Sequence, residues 1–201
     1  MKHGLTSIPL PDADLLFDPA FLPLAQANAL LTELTNTTPW RHETIRLFGR
    51  EVLQPRLTAW HGDLGAAYQY SGLQLQPKPW SPALRNLRQR VEAAADASFN
   101  SVLLNLYRTG QDSMGWHADD EPELGPEPVI ASVTLGATRT FRLKPRHPQH
   151  TPHAPLSLLL TSGSLLLMRG PTQQHWLHAL PKTTRPVGPR LNLTFRQVAV
   201  K

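Results

Sequence analysis

Hydrophobic positions recur at helical spacing in two stretches of the first hundred residues and then give way to short strands. Leu24, Ala27, Leu31 and Leu34 repeat at three- and four-residue intervals, after a helix start predicted at Asp18 and Pro19 and before a stop at Pro39. Ser81 and Pro82 predict a second start, with Leu84, Leu87, Val91 and Ala94 on one stripe. Between these amphipathic helices, residues 42–60 and 66–75 are rich in β-branched and aromatic residues broken by Gly and Pro, which predicts hairpins. From Asn100 the pattern predicts strands at 100–108, 129–135, 138–143, 156–160, 164–168, 174–179 and 190–198. Their regular spacing points to a sandwich or jelly roll. No repeat or long linker divides the chain, so residues 1–201 are expected to form one α+β domain with a jelly-roll core in 100–201.

Composition narrows the chemistry. The chain has 201 residues and no cysteine, which excludes a disulfide scaffold, thiolate zinc sites, iron–sulfur clusters and thiol catalysis. Any metal must be held by His, Asp or Glu. Twenty prolines disfavour long helical bundles. Charge is segregated: five acids crowd between Asp119 and Glu127, and the 74 residues after Glu127 hold ten Lys or Arg and no acid. A region of one sign attracts polyanions or small carboxylates, although a solvated basic face has the same composition. The start at Met1, Lys2, His3 and Gly4 lacks the apolar run of a signal peptide or membrane span, so a soluble, cytoplasmic protein without membrane contact is expected.

A non-haem iron(II) oxygenase needs two His and one carboxylate on one face of the metal. In a strand, His-x-Asp supplies two of them because residues i and i+2 point the same way. The motif occurs at His61-Gly62-Asp63 and at His117-Ala118-Asp119, and with nine His and 15 acids one copy is expected by chance alone. The second copy follows the strand ending at Tyr107 by a turn, and His178 stands in a strand about 60 residues later. His175 competes with it, but as part of the same strand would face the opposite way. In the final strand, Arg190, Asn192, Thr194 and Arg196 share one face, and Leu191, Leu193 and Phe195 the other. If the apolar face packs on the core, two guanidinium forks converge on a cavity suited to a dicarboxylate. An exposed edge strand with both Arg in solvent is the alternative. Asn105 and Tyr107, again i and i+2, could add hydrogen bonds from a neighbouring strand.

The chain resembles the AlkB-type iron(II) and 2-oxoglutarate dependent nucleic-acid dealkylases. The resemblance rests on Asn105-Leu106-Tyr107, Trp116 to Glu121, Ile130-Ala131-Ser132-Val133 with Gly136, His175 to His178, and Arg190 to Arg196. It extends upstream through Pro55-Arg56-Leu57-Thr58-Ala59-Trp60 and Tyr70-Ser71-Gly72, covering roughly residues 45–198. It implies a double-stranded β-helix, with helices and a nucleotide-recognition lid in residues 1–99. It further implies His117, Asp119 and His178 as ligands of Fe(II), and Asn105, Tyr107, Arg190, Asn192 and Arg196 as contacts to 2-oxoglutarate. His61-Gly62-Asp63 matches no ligand of the family and is expected to be a surface turn. The implied reaction uses O2 to oxidise an N-linked methyl group, as in 1-methyladenine or 3-methylcytosine of DNA or RNA, and releases formaldehyde and the repaired base.

A flipped base needs stacking walls and polar contacts to its edge. Tyr68, Tyr70 and Trp116 are the candidates for the walls, Asp120 or Glu121 for the polar contact, and Arg56 joins this substrate set. Leu47, Phe48 and Gly49 fall between strand-like stretches, and Phe48 is expected at a hairpin tip, where the duplex-repair branch carries an aromatic wedge. The branch is mixed: Leu106, Arg108 and Asp119 to Gly125 resemble single-strand-preferring members, and Tyr70 to Trp80 the duplex-repair members. Some branches carry Arg where Leu106 stands. The loop from His147 through His150 to His153 is expected to be solvated. The expected protein is a monomer acting on single- or double-stranded nucleic acid. The rivals are an iron and 2-oxoglutarate hydroxylase of a protein or small molecule, and a non-enzymatic nucleic-acid-binding β-sandwich.

Overall fold

The computed structural model describes residues 4–47, 50–66, 68–70, 73–149 and 153–199. In chain order the strands are β1 (Thr6–Ile8), β2 (Asp14–Asp18), β3 (Thr44–Leu47), β4 (Arg50–Leu53), β5 (Leu57–Gly62), β6 (Tyr68–Tyr70), β7 (Leu73–Leu75), β8 (Ser101–Tyr107) and β9 (Met114–His117). They continue with β10 (Ile130–Gly136), β11 (Arg139–Pro145), β12 (Leu156–Leu160), β13 (Leu165–Arg169), β14 (Trp176–Leu180) and β15 (Arg190–Arg196). The helices are α1 (Leu24–Thr37), α2 (Pro82–Ala95) and the short α3 (Thr172–His175). Seven strands form one sheet in the order β1-β2-β13-β10-β15-β8-β5, and four form a second in the order β12-β11-β14-β9. The pairs β3-β4 and β6-β7 are separate hairpins. No described helix is long and apolar enough to cross a membrane.

Strand alternation sorts side chains into two cores. Val102 and Leu104 of β8, Ala131, Val133 and Leu135 of β10, and Leu191, Leu193 and Phe195 of β15 pack with Ala27 and Leu34 of α1 and Leu84, Leu87 and Val91 of α2. The opposite faces contribute Leu103, Ile130, Leu166 and Met168, which meet Phe141 and Leu143 of the smaller sheet. The jelly-roll expectation is met, and the inter-sheet side receives every polar residue of β15.

Three local expectations are corrected. Helix α1 begins at Leu24 after Pro23, not at Asp18, which ends β2. The Asp18 carboxylate accepts hydrogen bonds from the amides of Gly4 (3.1 Å) and Ala20 (2.9 Å), so it closes a turn instead of capping a helix. The α2 start at Ser81 is as expected, its hydroxyl accepting from Leu84 N–H at 3.2 Å. The stretch after Tyr107 also contains a strand, β9, which has four residues including a glycine and forms by pairing with β14. Residues 172–175 are a helical turn, so the strand bearing His178 starts at Trp176.

Candidate metal and co-substrate site

In the antiparallel pair β9-β14, His117 stands directly opposite His178. Cross-strand partners have neighbouring Cβ atoms, and the two imidazole centroids lie 4.2 Å apart at 63°. Asp119, two residues beyond the end of β9, is 1% exposed. One ligand atom from each of His117, Asp119 and His178 lies within 4.8 Å of the others, the one such group of three among the described residues. His175 stays out of this group because it belongs to α3, not through strand parity. The other His-x-Asp motif is structural. His61 is buried in β5 with Nδ1 2.8 Å from the Pro79 carbonyl, and Asp63 accepts from Trp80 Nε1 (2.7 Å) and Arg88 Nη1 (3.0 Å). His61 is thus buried in the strand, while Asp63, partly exposed in the bend after β5, ties that bend to Trp80 and α2, so the expected surface turn holds for Asp63 and not for His61.

Electrostatics favour the ligating protonation states. Burial works against the Asp119 charge, but Arg196 Nη2 donates to its Oδ1 at 2.6 Å, and the carboxyl is held down at about 2. Burial, reinforced by the neighbouring His117, pushes His178 down to about 3, and burial also lowers His117. Two neutral imidazoles and one carboxylate are the forms that bind a divalent metal. Gln173 fixes the main chain of Asp119 from behind: its buried Oε1 accepts the Asp119 amide N–H at 2.9 Å. Gln174 Nε2 donates to the Pro126 carbonyl at 2.7 Å, so α3 grips the acidic loop at two points.

The polar face of β15 lies against the same pocket. Arg190, Asn192, Thr194 and Arg196 line it together with Asn105 and Tyr107 of β8 and the three ligands above. The register is direct, with Arg190 opposite Tyr107 and Asn192 opposite Asn105. Arg190 is 1% exposed, and its Nη2 donates to Thr134 Oγ1 (2.9 Å) and Asn192 Oδ1 (3.0 Å). Its Nε has no hydrogen-bond partner, and among the described residues no carboxylate pairs with it. Burial lowers its pKa to about 10. A buried guanidinium with an unused N–H and no counter-ion calls for an anion in the pocket.

The family model of the 2OG-Fe(II) oxygenase superfamily matches residues 14–196. The chain is 42% identical over 186 residues to the human alpha-ketoglutarate-dependent dioxygenase alkB homolog 3, covering 90% of this chain and 64% of that protein. It is 38% identical over 209 residues to the Arabidopsis thaliana DNA oxidative demethylase ALKBH2, covering 92% and 67%. The chain belongs to the AlkB-type 2OG-Fe(II) oxygenases. Its fold is also that of the solved structure of OsALKBH1, with a TM-score of 0.67 at 17% identity over 94% of this chain and 100% of that one. The chain spans 64% of the length of the human relative.

The donor set of this AlkB-type site fits its family's metal and co-substrate: His117, Asp119 and His178 would hold Fe(II), and Arg190 with its orphaned N–H would receive a carboxylate of 2-oxoglutarate. Arg196 lines the same pocket and also holds Asp119 through Nη2.

The residues expected to touch a base are not gathered in this pocket. Trp116 is 40% exposed and lines a groove with Arg142, Ala179 and Lys182 on the opposite face of β9-β14, because its neighbour His117 points inward. It does not line the pocket of the three ligand residues. Asp120 is exposed and ion-paired to Arg146. Glu121 is half-buried at the start of the 3-10 turn Pro122–Leu124. Arg56 is 3% exposed and donates through Nε to Asn105 Oδ1 at 2.8 Å, so it orients a pocket residue from within the core. Leu106 alternates with Asn105 and Tyr107 and does not line the pocket. Phe48 lies outside the described residues, as do His150 and the side chains of Tyr68 and Tyr70. Sequence reading missed Gln173 and the second role of Arg56, since nothing local distinguishes a Gln in a helical turn or an Arg before a strand.

Proposed function

We propose that this chain removes methyl groups oxidatively from N-alkylated bases, of the 1-methyladenine and 3-methylcytosine type, in DNA or RNA, using Fe(II), 2-oxoglutarate and O2. Residues 1–201 act in this proposal as one dioxygenase domain. The observation that carries it is the buried Arg190, which pairs with no carboxylate among the described residues, in the pocket that also holds the His117, Asp119 and His178 ligand atoms. When bound, the iron supplies oxygen activation coupled to oxidative decarboxylation of the co-substrate. The protein's own residues do the rest. Arg190 selects an anion, Asn105 and Asn192 face each other to orient it, Arg196 holds the Asp119 carboxylate, and Gln173 anchors the Asp119 backbone amide. Phe141, ring-stacked on His178 at 5.3 Å, and Leu103 keep the wall apolar and limit water. The names of the relatives, one a DNA oxidative demethylase, favour a nucleic-acid substrate over a protein or small molecule.

The test supplies a methylated oligonucleotide with Fe(II) and 2-oxoglutarate and measures formaldehyde and succinate together. Equal yields of both, abolished in folded His178→Ala and Asp119→Ala proteins, are expected. Succinate without formaldehyde from every methylated oligonucleotide would point instead to a different substrate class.

A further inference from the structure

Strand alternation gives the four-stranded sheet a second face, turned away from the metal ligands. On β11, Phe141 and Leu143 point into the core, while Thr140, Arg142 and Lys144 point out. Register places Arg142 beside Ala179 of β14, next to the inward His178. On the edge strand β9, where the pairing with β14 shifts register between His178 and Leu180, alternation is interrupted and both Gly115 and Trp116 border this face. Trp116 is 40% exposed, and Lys144 Nζ lies 4.6 Å from the centre of its ring. Gly115, Trp116, Arg142, Ala179 and Lys182 border a groove of about 180 Å³. Its floor is low, because Gly115 and Ala179 have little or no side chain.

Two features of this face need a cause. A large aromatic ring stands half in water, although neighbouring positions are polar. Arg142, Lys144 and Lys182 form no ion pair among the described residues, and the chain has no Asp or Glu after Glu127 to supply one nearby. We propose that the outer face of β11, β14 and β9 is a docking track for a single strand of nucleic acid, with a base stacked on Trp116 and phosphates on Arg142 and Lys182. Charge complementarity selects a polyanion. Trp116, with Lys144 over its ring and Arg142 and Lys182 beside the groove, selects nucleic acid over an acidic peptide, since stacking on the exposed part of the ring adds to phosphate contacts only for bases. Trp116 and His117 are consecutive, so a strand crossing the β9 edge continues from this track toward the ligand pocket. The track rests on the dealkylase reading for its biological use but not for its test.

The probe is an end-labelled, unmethylated single-stranded oligonucleotide, titrated by fluorescence anisotropy at several salt concentrations without iron or co-substrate. Each phosphate contact to a single strand adds about 0.7 to the log–log salt slope. The double variant Arg142→Ala/Lys182→Ala should therefore lose about 1.4 from the slope. Trp116→Leu should weaken binding about 5- to 150-fold with its slope unchanged, the range for one base stacked on an aromatic side chain. The charge-preserving pair Arg142→Lys/Lys182→Arg and Trp116→Phe should restore most of each loss. Arg85→Ala, a control that removes one positive charge from α2, should leave the slope as it is. Wild-type slope and affinity in both the double variant and Trp116→Leu would overturn the track. So would losses shared by the charge-preserving variants, or displacement of the oligonucleotide by polyglutamate at equal charge concentration. If binding follows this face but no methylated oligonucleotide yields formaldehyde, the dealkylase reading fails alone. If formaldehyde forms and the slopes do not change, the track fails alone.

Discussion

Replacing Arg190 by methionine separates a residue kept for an anion from one kept for the fold. At neutral pH the guanidinium is charged in both folded and unfolded chain, so the folded state bears its burial in full. Burial in the pocket holds its pKa at about 10, well below the ordinary guanidinium value. At about 1.4 kcal/mol per tenfold this corresponds to roughly 3 kcal/mol against the charged form. The hydrogen bonds to Thr134 and Asn192 offset it, at about 1.5 kcal/mol each for a charged donor. Methionine has similar reach and removes both contributions together. Stability without ligand should therefore stay within about 1 kcal/mol, a change in Tm of about 2 to 4 °C for a chain of this size. Binding is different. A carboxylate of 2-oxoglutarate held by two charge-assisted hydrogen bonds loses about 3 to 6 kcal/mol, or roughly a hundred- to ten-thousandfold in Kd. The assay is thermal unfolding with Mn(II) in place of Fe(II), with and without 2-oxoglutarate, followed by calorimetric titration. Co-substrate at a hundred times its Kd should stabilise the wild type by about 2.7 kcal/mol. The same concentration should stabilise Arg190→Met by about 0.4 kcal/mol or less. A large fall in Tm without ligand, together with a wild-type co-substrate shift, would show that Arg190 is structural and that the pocket receives its anion elsewhere.

Arg196→Met should behave in the opposite way, because it strands the buried Asp119 carboxylate: a loss of about 3 to 5 kcal/mol in stability is expected, read by denaturant unfolding. Gln173→Met removes the acceptor of the Asp119 amide, at a cost of about 1 to 3 kcal/mol for the unmade hydrogen bond. Mn(II) titration followed by electron spin resonance should show metal binding about 5- to 100-fold weaker with 2-oxoglutarate contacts intact. Asp63→Ala should lower Tm by several degrees through loss of the Trp80 and Arg88 bonds while Mn(II) affinity stays at the wild-type value, whereas a parallel loss of metal would reinstate it as a ligand. Phe48→Ala should reduce turnover on a methylated duplex by about one to two orders of magnitude and spare the same lesion in a single strand, since a wedge only replaces a lost stack.

The sequence by itself determined what depends on neighbours in the chain. The split of β15 into Leu191, Leu193, Phe195 and Arg190, Asn192, Thr194, Arg196 is a property of a period of two, and both faces lie where the alternation put them. Ser81 with Pro82 likewise carries its own cap. Tertiary structure alone decided what depends on partners far along the chain. Asp18 looked like a helix start until Gly4 and Ala20 gave its carboxylate other donors. Strand β9 has too little local preference to form alone and exists because β14 pairs with it, in the register that sets His117 against His178. That register also turns Trp116 outward. The links from Arg196 and Gln173 to Asp119 span 77 and 54 residues, and Arg56 reaches Asn105 across 49. Backbone periodicity is local and survives in any window of the sequence, whereas the partner of a buried charge is selected by the cost of leaving that charge unpaired, a cost that arises only after the sheets have closed and excluded water.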